Sequence, residues 1–71
     1  MALLRLNLSE NRIGDAGAKS ICNYILEKNR EKLVNLNLEH NLITEIGAKE
    51  LMKAIGGSSV VNLNLRRNLI G

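Results

Sequence analysis

The chain contains no tryptophan and no phenylalanine, and only one residue each of cysteine, histidine and tyrosine. Each scarcity excludes something. A lone cysteine, Cys22, forms no internal disulfide, and His40 without a Cys/His cluster gives no zinc site. No metal and no cofactor is expected. With Tyr24 as the only aromatic, a ligand pocket walled by rings is poorly served. No apolar run approaches the roughly 18 residues that cross a bilayer, so no membrane partner is expected. Met1-Ala2-Leu3-Leu4-Arg5 lacks the leading basic segment of a signal peptide, and asparagines interrupt the apolar stretch at once. A single thiol suits a reducing compartment, so a cytoplasmic location is expected and the glycosylation pattern Asn7-Leu8-Ser9 is expected to stay unmodified. No nucleophile sits in a recognisable motif, no histidines pair and no glycine-rich phosphate loop follows a strand; the chain is not expected to be an enzyme. Ten Lys/Arg against seven Asp/Glu give a charge of +3, with both signs spread along the chain. This is an ordinary solvated surface, or at most one that mildly prefers acidic partners, without the basic stripe of a nucleic-acid binder.

What the chain has instead is aliphatic residues, and they repeat. Leu3-Leu4-Arg5-Leu6-Asn7-Leu8-Ser9-Glu10-Asn11-Arg12-Ile13 returns 30 residues later, beginning at Leu33, and again 27 residues after that, beginning at Val60. The second and third copies agree at 8 of 11 positions. The likeness extends past the leucines: Gly17-Ala18-Lys19 returns as Gly47-Ala48-Lys49. The 71 residues form one segment, with repeats over about 3–32 and 33–59 and a partial repeat over 60–71.

Two periods alternate within each repeat. Leu6 and Leu8 alternate with Arg5, Asn7 and Ser9, the period of two of a strand with one buried face, and Leu36/Leu38 and Leu63/Leu65 do the same. Ala18, Ile21, Cys22 and Ile25 come next at helical spacing, as do Ala48, Leu51, Met52 and Ile55, each set making one apolar stripe. Cys22 is thereby a small buried apolar residue rather than a reactive thiol. Asp15 and Thr44 are the expected N-caps, and Gly17 and Gly47 allow the helices to approach the strands closely. Lys28-Asn29-Arg30-Glu31-Lys32 and Gly56-Gly57-Ser58-Ser59 return the chain. The alternation of strand and helix implies parallel strands with right-handed crossovers.

The leucine spacing, with Asn and Ile at fixed distances behind it in all three copies, resembles the leucine-rich-repeat family. The repeat length near 28 and the Gly-Ala helix start resemble its ribonuclease-inhibitor-like subclass. The resemblance implies an α/β right-handed solenoid, with three short parallel strands and two helices on the convex side. It also implies that Asn11, Asn41 and Asn68 are buried and stack as a structural asparagine ladder.

In such a solenoid the strand faces not used by the core line the concave surface. The candidate partner-binding residues stand in columns. The first is Arg5, Asn35 and Asn62; the second is Asn7, Asn37 and Asn64; the third is Ser9, Glu39 and Arg66. Glu10, His40 and Arg67 come after them. The asparagine column either hydrogen-bonds within itself or offers its amides to a partner. A Glu39–Arg66 cross-strand pair is expected, stabilising by only about 0–1 kcal/mol at a surface. Leu4, Val34 and Val61 form a further column, either covering the strand entrance or exposing an apolar edge.

The function implied is a protein-interaction module whose partner the sequence does not name. The GTPase-activating protein of the small GTPase Ran carries similar repeats, so regulation of such a GTPase is one alternative. A structural, self-assembling segment is another. Neither end shows a polar cap, from which one expects a piece of a longer array or self-association through the ends. Three strands present only on the order of 150 Å², against about 800 Å² per partner in a standard interface.

Overall fold

A computed structural model describes residues 3–26, 32–56, 58 and 60–70. Its elements run β1 (Leu3–Asn7), α1 (Asp15–Leu26), β2 (Lys32–Asn37), α2 (Glu45–Gly56) and β3 (Asn62–Asn64). The strands form one parallel sheet in the order β1-β2-β3. The expectation of three short parallel strands and two helices holds, and the arrangement is that of an α/β repeat fold.

Register follows the leucines. Leu6 pairs with Leu36 and Leu36 with Leu63, so one aliphatic column runs through all three layers. Leu33, Leu36 and Leu38 meet Ala18, Cys22, Leu51 and Ala54 from the helices in one core, with Ile43 and Val60 completing it. The ladder continues beyond the strands: Leu8 N–H donates to Asn37 O (2.8 Å) and Leu38 N–H to Asn64 O (2.8 Å).

The register breaks at one place. Leu4 pairs with Leu33 and Arg5 with Asn35, leaving Val34 as an extra residue in β2. The column expected from Leu4, Val34 and Val61 therefore breaks at Leu4, while Val61 N–H still donates to Val34 O (3.0 Å). Leu4 packs on the core beside buried Leu33 and Val60, whereas Val61 is 77% exposed. A one-residue shift exchanges the two faces of a strand.

One of the two helix starts differs from expectation. The first bond of α1 runs from Ala18 N–H to Gly14 O (2.9 Å), so Gly14 holds the N-cap position and Asp15 is the first helical residue. In α2 the corresponding bond runs from Ala48 N–H to Thr44 O (3.0 Å), and the Thr44 hydroxyl accepts from Ile46 N–H (3.2 Å). Thr44 is thus the cap of α2 as expected. At its other end, the Ser58 hydroxyl donates to Ile55 O (2.9 Å) and accepts from Val60 N–H (3.1 Å), closing α2 and redirecting the chain. Lys32, expected in the first return, begins β2; residues 28–31, Gly57 and Ser59 of the expected returns lie outside the described residues.

Met52 departs from the apolar stripe in which its spacing placed it. Cys22 is 6% exposed and its counterpart Met52 60%. Helix α1 has α2 beside it, but the corresponding flank of α2 has no helix against it among the described residues.

Candidate functional site

Because Leu6, Leu36 and Leu63 turn inward, the residues between them turn to the opposite face of the sheet. Arg5, Asn35 and Asn62 stand in register there, as do Asn7, Asn37 and Asn64. Arg5, Asn7, Asn62 and Arg66 are exposed, and Ser9, Asn35, Asn37, Glu39 and Asn64 half-buried. The candidate residues thus share one continuous polar surface. Glu10, His40 and Arg67, all exposed, edge it where the strands turn away.

The asparagine column of the strands does not bond amide to amide along its length. Each Oδ1 accepts the N–H two residues on: Asn7 from Ser9, Asn37 from Glu39 and Asn64 from Arg66, all at 3.0 Å. These are Asx turns that bend the chain at the strand end. Asn7 Oδ1 also accepts from the Ser9 hydroxyl (2.7 Å). Asn64 Nδ2 donates to Glu39 Oε1 (3.1 Å). That bond engages Glu39 in place of the expected Glu39–Arg66 pair, which does not form; Lys53–Glu50, at 3.8 Å on the surface of α2, is the one ion pair among the described residues. The Nδ2 groups of Asn7 and Asn37 donate to nothing among the described residues, which leaves them open to a partner.

Behind the turn, the second set of asparagines ties the layers together. Asn41 Oδ1 accepts from Asn11 N–H and Ile13 N–H of the preceding repeat (both 2.9 Å). Its Nδ2 donates to Leu8 O (2.9 Å) and to Leu38 O (3.0 Å). Asn68 repeats this one layer on, accepting from Ile43 N–H (3.0 Å) and donating to Leu38 O (2.8 Å) and Leu65 O (3.0 Å). The amides bond to backbone rather than to each other. Equal burial of all three was expected, but only Asn41 is buried, at 2% exposure. Asn68 is half-buried. Asn11 is exposed, and its one side-chain bond is from Nδ2 to Ser9 O (3.1 Å), since no described turn lies before it to receive the others.

Immediately before each of these asparagines the backbone is left-handed: φ is 57° at Glu10, 58° at His40 and 59° at Arg67. For residues with a Cβ this conformation costs about 1–2 kcal/mol. The bonds of the neighbouring asparagine and the ladder hold it: Glu10 N–H donates to Glu39 O (3.0 Å) and His40 N–H to Arg66 O (2.8 Å).

Sequence reasoning missed the use made of Asp15. Its Oδ1 accepts from Thr44 N–H (2.8 Å) and Gly47 N–H (3.1 Å), and its Oδ2 from the Thr44 hydroxyl (2.5 Å). Asp15 therefore caps the helix of the next repeat. The Thr44 hydroxyl first, and then the Thr44 N–H, hold its carboxyl below its ordinary value; burial opposes them, and the Gly47 N–H adds a smaller lowering. Gly47 is the counterpart of this contact: a Cβ there would collide with Asp15 Oδ1 and stand 2.9 Å from Ile43 Cγ2. Its close approach is thus to the preceding turn and helix, where a strand was expected. The only sequence signal was Asp at one repeat's helix start and Gly at the next one's third helical position.

Cys22 lies in the core, and burial, followed by the Glu50 carboxylate, raises its thiol pKa. Among the described residues no group of three or more His, Cys, Asp or Glu is placed to hold a metal ion, and no helix is long and apolar enough to cross a membrane.

Residues 2–22 match a family model of the leucine rich repeat. That stretch holds β1, the turn at Asn11 and most of α1, one strand-to-helix unit of the repeat. That part of the chain is similar to a leucine rich repeat. No curated protein and no solved structure matches the chain significantly.

Proposed function

We propose that this chain is a non-enzymatic protein-binding module of the ribonuclease-inhibitor-like leucine-rich-repeat kind, which meets its partner through the sheet face turned away from the helices. Leucine-rich repeats generally mediate contacts between proteins, and a stack of parallel strands in a right-handed solenoid offers such a surface. The repeat length and the Gly-Ala helix starts favour the subclass. The observation that carries the reading is the row of left-handed turns. Glycine is the residue that such backbone favours, yet Glu10, His40 and Arg67 occupy it with exposed polar side chains. Beside them, Arg5, Arg66 and the open amides of Asn7 and Asn37 are presented in register on a framework fixed by Asn41 and Asn68. A rigid display of polar groups that make few bonds at home is what an interface uses at small entropic cost. The strands alone are too small for a standard interface, so contacts reach the turns at Glu10, His40 and Arg67. No residue of the face is specific to regulation of a small GTPase.

Affinity capture from a cell extract, followed by direct titration of the captured protein, tests the face. Arg5→Glu combined with Arg66→Glu is expected to weaken that binding by at least about tenfold, whereas Lys19→Glu on the exposed side of α1 leaves it unchanged. Loss of binding through the helix-side change alone refutes this choice of face.

A further inference from the structure

Charge is ordered along the rim of the sheet face. Glu10, His40 and Arg67 stand there in successive layers, all exposed. Glu10 N–H bonds to Glu39 O and His40 N–H to Arg66 O, so the three turns are in step. Just inside them come Ser9, Glu39 and Arg66. The first two layers thus carry the carboxylates of Glu10 and Glu39, and the third carries two guanidinium groups, those of Arg66 and Arg67. None of the four makes an ion pair among the described residues, although Glu39 accepts the Asn64 amide. Arg12 lies past the turn, where Leu42 and Leu69 stand in the other repeats, and Arg5 lies at the strand end; neither pairs with Glu10.

We propose that the face takes an extended peptide with one basic and one acidic residue three positions apart, laid across the strands. Its basic side chain lies over Glu10 and its acidic one over Arg66 and Arg67. This rests on the sheet face being the binding surface, and names the chemistry of what that surface takes.

The spacing sets the conformation of the occupant. Parallel strands about 4.8 Å apart put the first and third layers about 10 Å apart. A chain in the polyproline II conformation rises about 3.1 Å per residue and returns to the same side every three residues, about 9 Å on. A β-extended chain alternates sides, so residues three apart would point opposite ways. A polyproline II backbone also makes no hydrogen bonds of its own, which leaves its carbonyls free to accept. The face supplies the donors. Nδ2 of Asn7 and Asn37 donates to nothing, and the side chains of Asn35 and Asn62 make no hydrogen bond, among the described residues. These amides stand in rows that run across the strands, as the peptide does. A single-stranded nucleic acid fits less well: its charge is negative throughout and would meet Glu10 and Glu39.

The probe is the end-blocked peptide Ala-Lys-Pro-Pro-Glu-Ala, titrated into the whole chain and followed by two-dimensional nitrogen–proton spectra. Its prolines hold the extended turn and its blocked ends leave one charge of each sign. The side-chain amide signals of Asn7 and Asn37 are expected to shift saturably, while those of α1 and α2 stay in place. Peptides with Lys at both charged positions, or Glu at both, should bind about three- to tenfold more weakly. The preference should then turn with the rim: Arg66→Glu combined with Arg67→Glu favours the two-Lys peptide, and Glu10→Arg favours the two-Glu peptide. These substitutions suit their positions, since Glu39 and Glu10 already occupy the equivalents of Arg66 and Arg67, and Arg67 occupies the left-handed equivalent of Glu10. Far-ultraviolet spectra of the variants check that they are folded. Absence of saturable shifts overturns the proposal, as does a preference that does not turn. So does a short oligothymidylate that binds more tightly than the mixed peptide. Shifts confined to the helices would refute the sheet face itself. No shifts at all, with a captured protein whose binding still depends on Arg5 and Arg66, would overturn the peptide alone and leave the face standing.

Discussion

Asparagine serves two purposes in this chain, and the environments of the side chains separate them. Asn7, Asn37 and Asn64 end strands at the surface, where water can replace an Asx-turn bond. Asn41 is buried, and its amide answers backbone groups of two successive turns at once. Truncation of Asn41 leaves the N–H groups of Asn11 and Ile13 and the carbonyl of Leu8 without their partner, while the Leu38 carbonyl keeps its bond from Asn68. An unsatisfied buried group costs about 1–3 kcal/mol. Asn41→Ala is therefore expected to cost at least about 3 kcal/mol in urea unfolding, Asn68→Ala less, and Asn11→Ala under about 1 kcal/mol. Equal losses at the three positions would show that the buried bonds do not dominate. The sequence marks all three residues as equivalent, and resemblance made them a ladder. Their inequality comes from neighbouring turns, and a turn's own residues carry no record of what lies on either side of it.

At the scale of the element, the link between helices is a carboxylate reaching across 29 residues of sequence. The Thr44 cap and the apolar stripe of α1 were legible because they depend on local spacing, whereas the cap of α1 falls on Gly14 instead of the expected Asp15. The cap made by Asp15 was not legible: an acidic residue at a helix start is read first as serving its own helix. Met52 was misplaced for a related reason. Helical periodicity gives the direction in which a side chain points but not whether another helix meets it there. The Asp15 contact has a consequence for acid stability. Hydrogen bonds from Thr44 lower its folded pKa, while the unfolded chain keeps the ordinary value of about 3.9. Its contribution is present above that unfolded value and is lost as pH falls through it toward the folded one, where the unfolded state binds more protons. Urea midpoints measured from about pH 6 down to about pH 2 should decline through this window, and Asp15→Asn should flatten that part of the decline while lowering the midpoint at neutral pH. An unchanged acid profile would mean that the contact is not formed in solution.

Across the whole molecule, burial is concentrated in the middle layer. The fully buried large side chains are Leu36, Leu38, Ile43 and Leu51, all from the second repeat, whereas Leu6, Leu8, Ile13, Leu63 and Leu65 are only partly covered. This is a result of stacking: an inner layer has neighbours on both sides and an outer one on a single side, so identical leucines acquire different energetic weight. Total stability for a domain of this size is on the order of 4–10 kcal/mol. Leu38→Ala, which opens a cavity among fully packed neighbours, is expected to cost about 3–4 kcal/mol and so to remove much of that margin. The same change at the equivalent positions Leu8 and Leu65 should cost about 1–2 kcal/mol, as half-exposed side chains lose less transfer energy and water fills the gap. Urea unfolding followed by circular dichroism measures all three. The comparison also bears on what covers the outer layers. If Leu65→Ala proves as costly as Leu38→Ala, the third layer is covered in solution, and a dependence of that cost on protein concentration would identify the cover as another copy of the chain.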